Sequence, residues 1–128
     1  MKPSFLNQPR PIVTGMVLKN TPDAVRFCVK NSIYDGADAL GIQLCRLQRE
    51  YKTEEHYRNI FASVGQRPIY ITNYRSCENT GMTDEECMAG LITALGCGAT
   101  MGDVMGDCFD KGADKELTWD PKAIDRQK

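Results

Sequence analysis

The sequence lacks the features that define several large classes of protein. Its 128 residues contain one histidine, one tryptophan and no apolar run near the roughly 18 residues that cross a bilayer. Residues 1–10 lack the apolar centre of a signal peptide. Sixteen basic and seventeen acidic residues give a net charge of −1, so no basic surface for nucleic acid is indicated. We therefore expect a cytoplasmic protein with no nucleic acid partner and no membrane partner.

Metal and disulfide frameworks are also poorly supported. The six cysteines include no Cys-x-x-Cys pair, and His56 is the one histidine that could join them, so we predict no metal site. A disulfide framework would need an export signal, and none is visible. We expect reduced thiols, with Cys28, Cys87 and Cys97 serving as small apolar side chains on helices. No cofactor is indicated.

What the sequence does contain is a repeated alternation of strands and helices. Apolar runs predict strands near residues 11–18, 38–44, 68–74 and 100–105. Thr21, Thr53 and Thr83 have the character of helix N-caps, and Gly36 and Gly65 are suited to end the first two helices. Amphipathic stripes are predicted on those helices, at Val25, Cys28, Val29 and Ile33, at Tyr57, Ile60, Phe61 and Val64, and at Met88, Leu91, Ile92 and Leu95. A fourth helix is predicted from Asp120-Pro121.

This alternation favours right-handed βαβ units and a parallel sheet. Doubly wound sheets and (β/α)8 barrels both fit the pattern. The turn after the first strand has no glycine-rich loop, which disfavours a dinucleotide-binding domain. A TIM barrel needs eight units in about 250 residues. We therefore predict that residues 1–128 form an α/β fold, the N-terminal half of a (β/α)8 barrel.

Ligands of both architectures bind at the carboxyl ends of the strands. Arg75 follows the third strand, where its planar guanidinium suits a carboxylate, although it could be a solvated loop residue. Gln43, on the same side of its strand as Gly41 and Cys45, could hold a polyol or bond to neighbouring strands. Asn73 offers a further hydrogen-bonding side chain. Lys19 is a weak candidate for an imine-forming amine, with an exposed loop lysine as the plainer interpretation.

Two carboxylates flank a glycine at the end of the fourth strand. Asp103 and Asp107 could together bind a divalent cation or a sugar hydroxyl. Aspartate is also a common turn residue, and that interpretation is favoured. Asp107 is kept as a candidate substrate-binding residue.

These motifs resemble a known family. Gly-Ile-Gln-Leu at residues 41–44 and Thr-Asn-Tyr-Arg at residues 72–75, in the order of elements over residues 11–107, resemble the N-terminal half of type I 3-dehydroquinate dehydratases. The resemblance implies a TIM barrel lyase of the shikimate pathway, in aromatic amino acid biosynthesis. Such an enzyme dehydrates a small carboxylated cyclic ketone through a lysine Schiff base. The resemblance implies that the lysine and histidine of that mechanism lie beyond residue 128, so that this chain alone is inactive.

The sequence departs from the family at several positions. Gly41, Gln43 and Cys45 stand where the family carries a Glu-x-Arg-x-Asp pattern, and Met105 stands at the acidic position of the fourth strand. Arg75 matches the family arginine. Two alternatives stay open: a non-catalytic half-barrel or fragment that acts as a binding or assembly module, and another barrel class that binds phosphate or pterin ligands. We expect a homodimer or pairing with a C-terminal half-barrel.

Overall fold

The computed structural model describes residues 2–105 and residue 108. Its strands are β1 (Thr14–Val17), β2 (Ala39–Gln43), β3 (Ile69–Thr72) and β4 (Met101–Gly102), and its helices are α1 (Pro22–Tyr34), α2 (Glu54–Ala62) and α3 (Asp84–Gly96). Short 3-10 turns lie at Phe5–Asn7, Leu44–Arg46, Arg49–Tyr51 and Cys77–Asn79. The helix predicted from Asp120-Pro121 and the candidate Asp107 lie outside the described residues.

Each helix begins where its sequence predicts. The hydroxyl groups of Thr21 and Thr53 accept hydrogen bonds from the backbone three residues later, which satisfies a free N–H of the first turn. Thr83 and Glu86 form a reciprocal capping box at the start of α3. Gly36 follows α1 with a φ of 97°, a conformation that most side chains disfavour. The predicted caps are confirmed.

The four strands form one parallel sheet in the order β1-β2-β3-β4. Met16 pairs with Gly41, Gly41 with Tyr70, and Tyr70 with Met101, so these four residues form one row across the sheet. Helix α1 contacts α2, and α2 contacts α3, as expected when successive right-handed crossovers lie on one face. The row at Met16 lies on the other face, which we call the open face. The predicted α/β fold with a parallel sheet is confirmed.

The hydrophobic core lies between the sheet and the helices. Leu40, Ile42, Ile69 and Ile71 point from the sheet into it with at most 2% exposure. Burying such side chains contributes about 1.5–3 kcal/mol each, which makes this layer the main source of stability. The helices add Val25, Val29, Tyr57, Ile60, Phe61, Leu91 and Ala94.

Two predictions about these elements were wrong in detail. The strands are shorter than predicted: β3 ends at Thr72, and the Asn73 side chain that follows is buried toward α3. On α3, Ile92 and Leu95 are 62% and 38% exposed, not buried. Leu91 is buried as predicted, and Cys87 and Ala94 face the sheet with it, so the buried stripe is rotated from the predicted one.

Candidate functional site

Polar side chains meet at the carboxyl ends of the parallel strands in two adjacent groups. The first, which we call the edge cluster, consists of Gln43, Thr72, Tyr74 and Asp103. The second, which we call the loop cleft, is lined by residues of the loops that follow β1, β2 and β3: Leu18, Lys19, Asn20, Arg46, Cys77 and Glu78.

The edge cluster is centred on one carboxylate. Asp103 Oδ1 accepts a hydrogen bond of 2.9 Å from Thr72 Oγ1, and its Oδ2 accepts one of 2.6 Å from Tyr74 Oη. Gln43 pairs with Thr72 in the register of β2 and β3, which places the half-buried glutamine beside this network. The cluster therefore offers amide, hydroxyl and carboxylate groups to a ligand that carries hydroxyls.

Two phenols beside the carboxylate remain protonated over a wide pH range. The hydrogen bond to Asp103 is the main cause that raises the pKa of Tyr74, since a phenolate could not donate it. Burial is the main cause that raises the pKa of Tyr70, which lies two residues before Thr72 on the same face. At neutral pH both phenols are therefore hydrogen-bond donors.

The loop cleft has a volume of about 310 Å³ and walls that are tied to one another. Gln48 N donates to Asn20 O at 3.0 Å, which joins the loop after β1 to the loop after β2. Arg49 reaches the third loop, where its Nε donates to Glu78 O at 2.9 Å and its Nη2 donates to Thr80 O at 2.6 Å. Arg46 and Glu78 were not among the site residues predicted from the sequence, because three loops far apart in the chain build this cleft.

The structure places the predicted site residues in different surroundings. Lys19 lines the loop cleft, and Gln43 belongs to the edge cluster. Arg75 forms an ion pair of 3.0 Å with Asp84 in the first turn of α3, so its charge is already shared with a carboxylate. Asp107 lies outside the part of the chain that the structure describes.

Asn73 is buried on the helix side of the sheet. Its Nδ2 donates to Cys87 O at 2.8 Å, and its Oδ1 accepts from Asn79 Nδ2 at 2.7 Å. A methyl group on Gly90 would lie 2.8 Å from Asn73 Nδ2, so the glycine provides the space for this amide. Asn73 thus joins β3 to α3 and to the following loop, and both atoms of its amide are already used in these contacts.

Alternation along the strands could have revealed the edge cluster. Thr72 and Tyr74 are two residues apart, and Asp103 follows Met101 by two, so each pair falls on one face if the pattern continues past the strand end. The sequence interpretation paired Asp103 with Asp107 instead. That pairing followed proximity in the chain, whereas the contacts of Asp103 come from the neighbouring strand.

No family model and no curated protein matches this chain. Over residues 2–105 and residue 108, no group of three or more histidine, cysteine, aspartate or glutamate side chains is placed to hold a metal ion. In the same part of the chain, no helix is long and apolar enough to cross a membrane.

Proposed function

We propose that this chain forms the first four strand–helix units of a (β/α)8 barrel and binds a small hydroxylated, carboxylated ketone at the carboxyl ends of its strands. The observation that carries the proposal is the edge cluster, in which neighbouring parallel strands place Gln43, Thr72 and Asp103 side by side. In parallel α/β folds this end of the sheet is where ligands bind.

The strand order supports a barrel over a doubly wound sheet. In doubly wound sheets the order reverses at a switch point, and helices cover both faces. Here the order runs in one direction through β1, β2, β3 and β4, and neighbouring helices contact each other. The open face then corresponds to the lumen of a barrel, with Gly41 leaving room for the Met16 side chain.

The resemblance to type I 3-dehydroquinate dehydratases supplies the proposed reaction class, a dehydrating lyase. In such chemistry a lysine amine attacks the substrate ketone, and the carbonyl oxygen leaves as water when the imine forms. Lys19 is the candidate amine within the described residues. Gln43 would hold a substrate hydroxyl. Arg75 could hold the carboxylate only in competition with Asp84.

Titration of the folded chain with 3-dehydroquinate tests the proposal. We expect the amide and side-chain NMR signals of Gln43, Thr72 and Asp103 to shift in a saturable manner. Gln43→Leu should weaken binding about tenfold, because a buried hydrogen bond to a neutral partner is lost. Saturable binding that Gln43→Leu leaves unchanged, or no binding at millimolar ligand, would overturn the proposed site.

Borohydride reduction of the same mixture tests the imine separately. Intact mass analysis should show a reduced adduct that disappears in Lys19→Arg if Lys19 is the amine. An adduct that persists in this variant would assign the imine to another lysine. Binding without any adduct would remove the Schiff base from the proposal and leave the binding site.

A second candidate function is assembly through the open face. Met16 and Met101 lie on this face with 47% and 43% exposure, which is high for large apolar side chains of one sheet. A half-barrel of this kind would pair with a second half. Light scattering should then report a dimer that Met101→Lys dissociates, whereas Ile92→Lys on the outer side of α3 should not. A monomer at high concentration would contradict this function.

A further inference from the structure

The loops at the carboxyl end of the sheet gather positive charge, although the chain as a whole carries a net charge of −1. Lys19 and Arg46 line the loop cleft from two different loops. Arg49 lies behind the opposite wall, where it donates to the backbone of Glu78 and Thr80. These loops thus bring three basic side chains to one end of a nearly neutral molecule.

A fourth basic residue lies beside them. The Lys52 ammonium donates a hydrogen bond to Leu44 O, at the start of the turn that carries Arg46. Burial lowers the pKa of Lys52, and the nearby carboxylate of Glu78 acts against that shift. Glu78 is therefore already close to Lys52 and to the backbone contacts of Arg49, and among the described residues that line the cleft it is the acidic one.

The two cations that line the cleft have no ion-pair partner in the described part of the chain, although the Glu78 carboxylate lies on the same wall. Within the described residues, neither the Lys19 ammonium nor the Arg46 guanidinium forms an ion pair or a side-chain hydrogen bond. The ion pairs found there lie elsewhere, at Arg26–Asp23, Arg58–Glu54 and Arg75–Asp84. Two like charges on one cleft repel each other, and an anion between them would relieve that repulsion.

The cleft is also held in shape before any ligand binds. Its three loops are joined by the hydrogen bonds of Gln48 to Asn20 and of Arg49 to Glu78 and Thr80. The loop of Cys77 and Glu78 is anchored further by Asn79, which is fully buried and donates to Tyr74 O at 2.8 Å. A site whose walls are fixed loses less entropy on binding than one that must be ordered by its ligand.

We propose that the loop cleft is an oxyanion-binding site, in which Arg46 and Lys19 hold a small carboxylate or phosphate group. The guanidinium of Arg46 can donate two parallel hydrogen bonds to two oxygens, and the Lys19 ammonium adds a point charge. Asn20 lines the same cleft and offers an amide donor. The volume of about 310 Å³ accommodates a group of this size.

This inference deepens the function proposed above, and it rests on that function only in taking the anion to be part of the ligand that binds the edge cluster. Here Lys19 stays an ammonium, so a borohydride adduct at Lys19 would leave the anion to Arg46 and Asn20. The sequence predicts Arg75 as the carboxylate-binding residue. In the structure Arg75 is paired with Asp84, whereas Arg46 faces the cleft. The anion-binding role therefore moves from the loop after β3 to the loop after β2.

Titrations of the folded chain with inorganic phosphate and with succinate test the site by NMR. We expect saturable shifts at Asn20, Arg46 and Glu78, and weaker binding as sodium chloride is added. Saturation with phosphate alone would assign a phosphate group, and saturation with succinate alone would assign a carboxylate. Saturation with both supports a general oxyanion site, and saturation with neither up to about 50 mM would overturn it.

Variants locate the anion. Arg46→Gln should weaken binding about tenfold or more, since it removes charge-assisted hydrogen bonds, and Lys19→Gln should weaken it several-fold. Arg58→Gln, an equal loss of charge on the surface of α2, should change nothing, because its partner Glu54 lies outside the cleft. Loss of binding in Arg75→Gln with full binding in Arg46→Gln would overturn the assignment and restore the prediction from sequence. NMR signal dispersion confirms that each variant is folded.

A third titration with 3-dehydroquinate separates the two proposals. Binding of phosphate or succinate without any binding of 3-dehydroquinate would keep the oxyanion site and remove the proposed substrate. Shifts of the edge cluster by 3-dehydroquinate, with none at Arg46 and no binding of either small anion, would keep the proposed function and remove the oxyanion site. Shifts of the edge cluster and of the loop cleft at the same concentrations of 3-dehydroquinate would support both the proposed function and the oxyanion site.

Discussion

Tyr74 and Asp103 are joined by a hydrogen bond of 2.6 Å from the phenol Oη to the carboxylate Oδ2, across the ends of neighbouring strands. Thr72 donates to the other carboxylate oxygen at 2.9 Å. Because β4 has only two residues, few backbone bonds hold it to β3. The side chain of Asp103 therefore supplies part of the connection that a longer ladder would provide.

The first prediction concerns the ionisation of Tyr74. Its hydrogen bond to Asp103 is the main cause of the raised pKa, so the folded state favours the neutral phenol. The resulting stability is complete below the unfolded pKa of about 10 and is lost as the pH rises through the folded pKa. Asp103→Ala should move the pKa of Tyr74 back toward its ordinary value, as measured by NMR titration of labelled tyrosine.

Tyr74→Phe identifies the signal in that titration, and Tyr57 provides the internal control. Burial raises the pKa of Tyr57 to about 12, and Asp103 has no part in that shift. The Tyr57 signal should therefore be the same in Asp103→Ala and in the unchanged chain. A Tyr74 titration that Asp103→Ala leaves unmoved would mean that the hydrogen bond is absent in solution.

The second prediction compares two glycines on neighbouring strands. A methyl group on Gly15 would lie 2.8 Å from Ser32 Cβ on α1, so the helix would have to shift. A methyl group on Gly41 would meet the Met16 thioether, the flexible end of a side chain that is 47% exposed. In urea unfolding, Gly15→Ala should cost about 1–3 kcal/mol, and Gly41→Ala about 0.5 kcal/mol or less. A larger loss of unfolding free energy in Gly41→Ala than in Gly15→Ala would indicate that the open face is tightly packed.

Local signals in the sequence were sufficient to predict where the helices begin and end and that the sheet is parallel. A threonine cap and a glycine stop act within a few residues of where they stand, so Thr21, Thr53 and Gly36 could be read directly. The recurrence of strands at similar spacing was sufficient for a parallel sheet. The lengths of the strands could not be predicted from the apolar runs, because a strand ends where its backbone pairing ends, and β4 pairs with β3 at only two residues.

The site was less predictable because its contacts join distant parts of the chain. Gln43 could be proposed from the sequence because it ends an apolar strand on the same side as Gly41. Arg75 and Arg46 both follow strands, and only the position of Asp84 shows that the first is already paired. Asp103 was assigned to a turn, because its partners are not near it in the chain: Thr72 ends β3 and Tyr74 follows that strand.

The third prediction concerns the buried amide of Asn79. Its Nδ2 donates to Asn73 Oδ1 at 2.7 Å and to Tyr74 O at 2.8 Å. Asn79→Ala leaves both acceptors without this donor, one of them buried, which should lower the free energy of unfolding by about 1–3 kcal/mol. Asn79→Asp should lower the free energy of unfolding further, because a carboxylate oxygen then replaces the amide donor and faces the two acceptors, Asn73 Oδ1 and Tyr74 O. Asn31→Ala, at an exposed position of α1, is the control and should stay within about 0.5 kcal/mol.

The same variant tests whether the loop cleft depends on this anchor. Asn79 directly follows Cys77 and Glu78, which line the cleft. Phosphate binding should therefore weaken in Asn79→Ala even under conditions where the chain is fully folded. Undiminished binding would show that the contacts of Arg49 with Glu78 and Thr80 are sufficient to hold the wall.

The fourth prediction concerns the capping box of α3, which starts directly after the loop that borders the cleft. Thr83 Oγ1 accepts from Glu86 N at 3.1 Å, and Glu86 Oε2 accepts from Thr83 N at 2.8 Å. Thr83→Ala should cost about 1 kcal/mol in thermal or urea unfolding, because one N–H of the first turn loses its partner, and Thr83→Ser should restore it. Thr93→Ala removes a methyl group and a hydroxyl whose hydrogen bond goes to Ala89 O within the helix, so no N–H of the first turn loses a partner. That control should be neutral or slightly stabilising, since alanine is the better helix former, and equal losses at both positions would contradict a specific role for the cap.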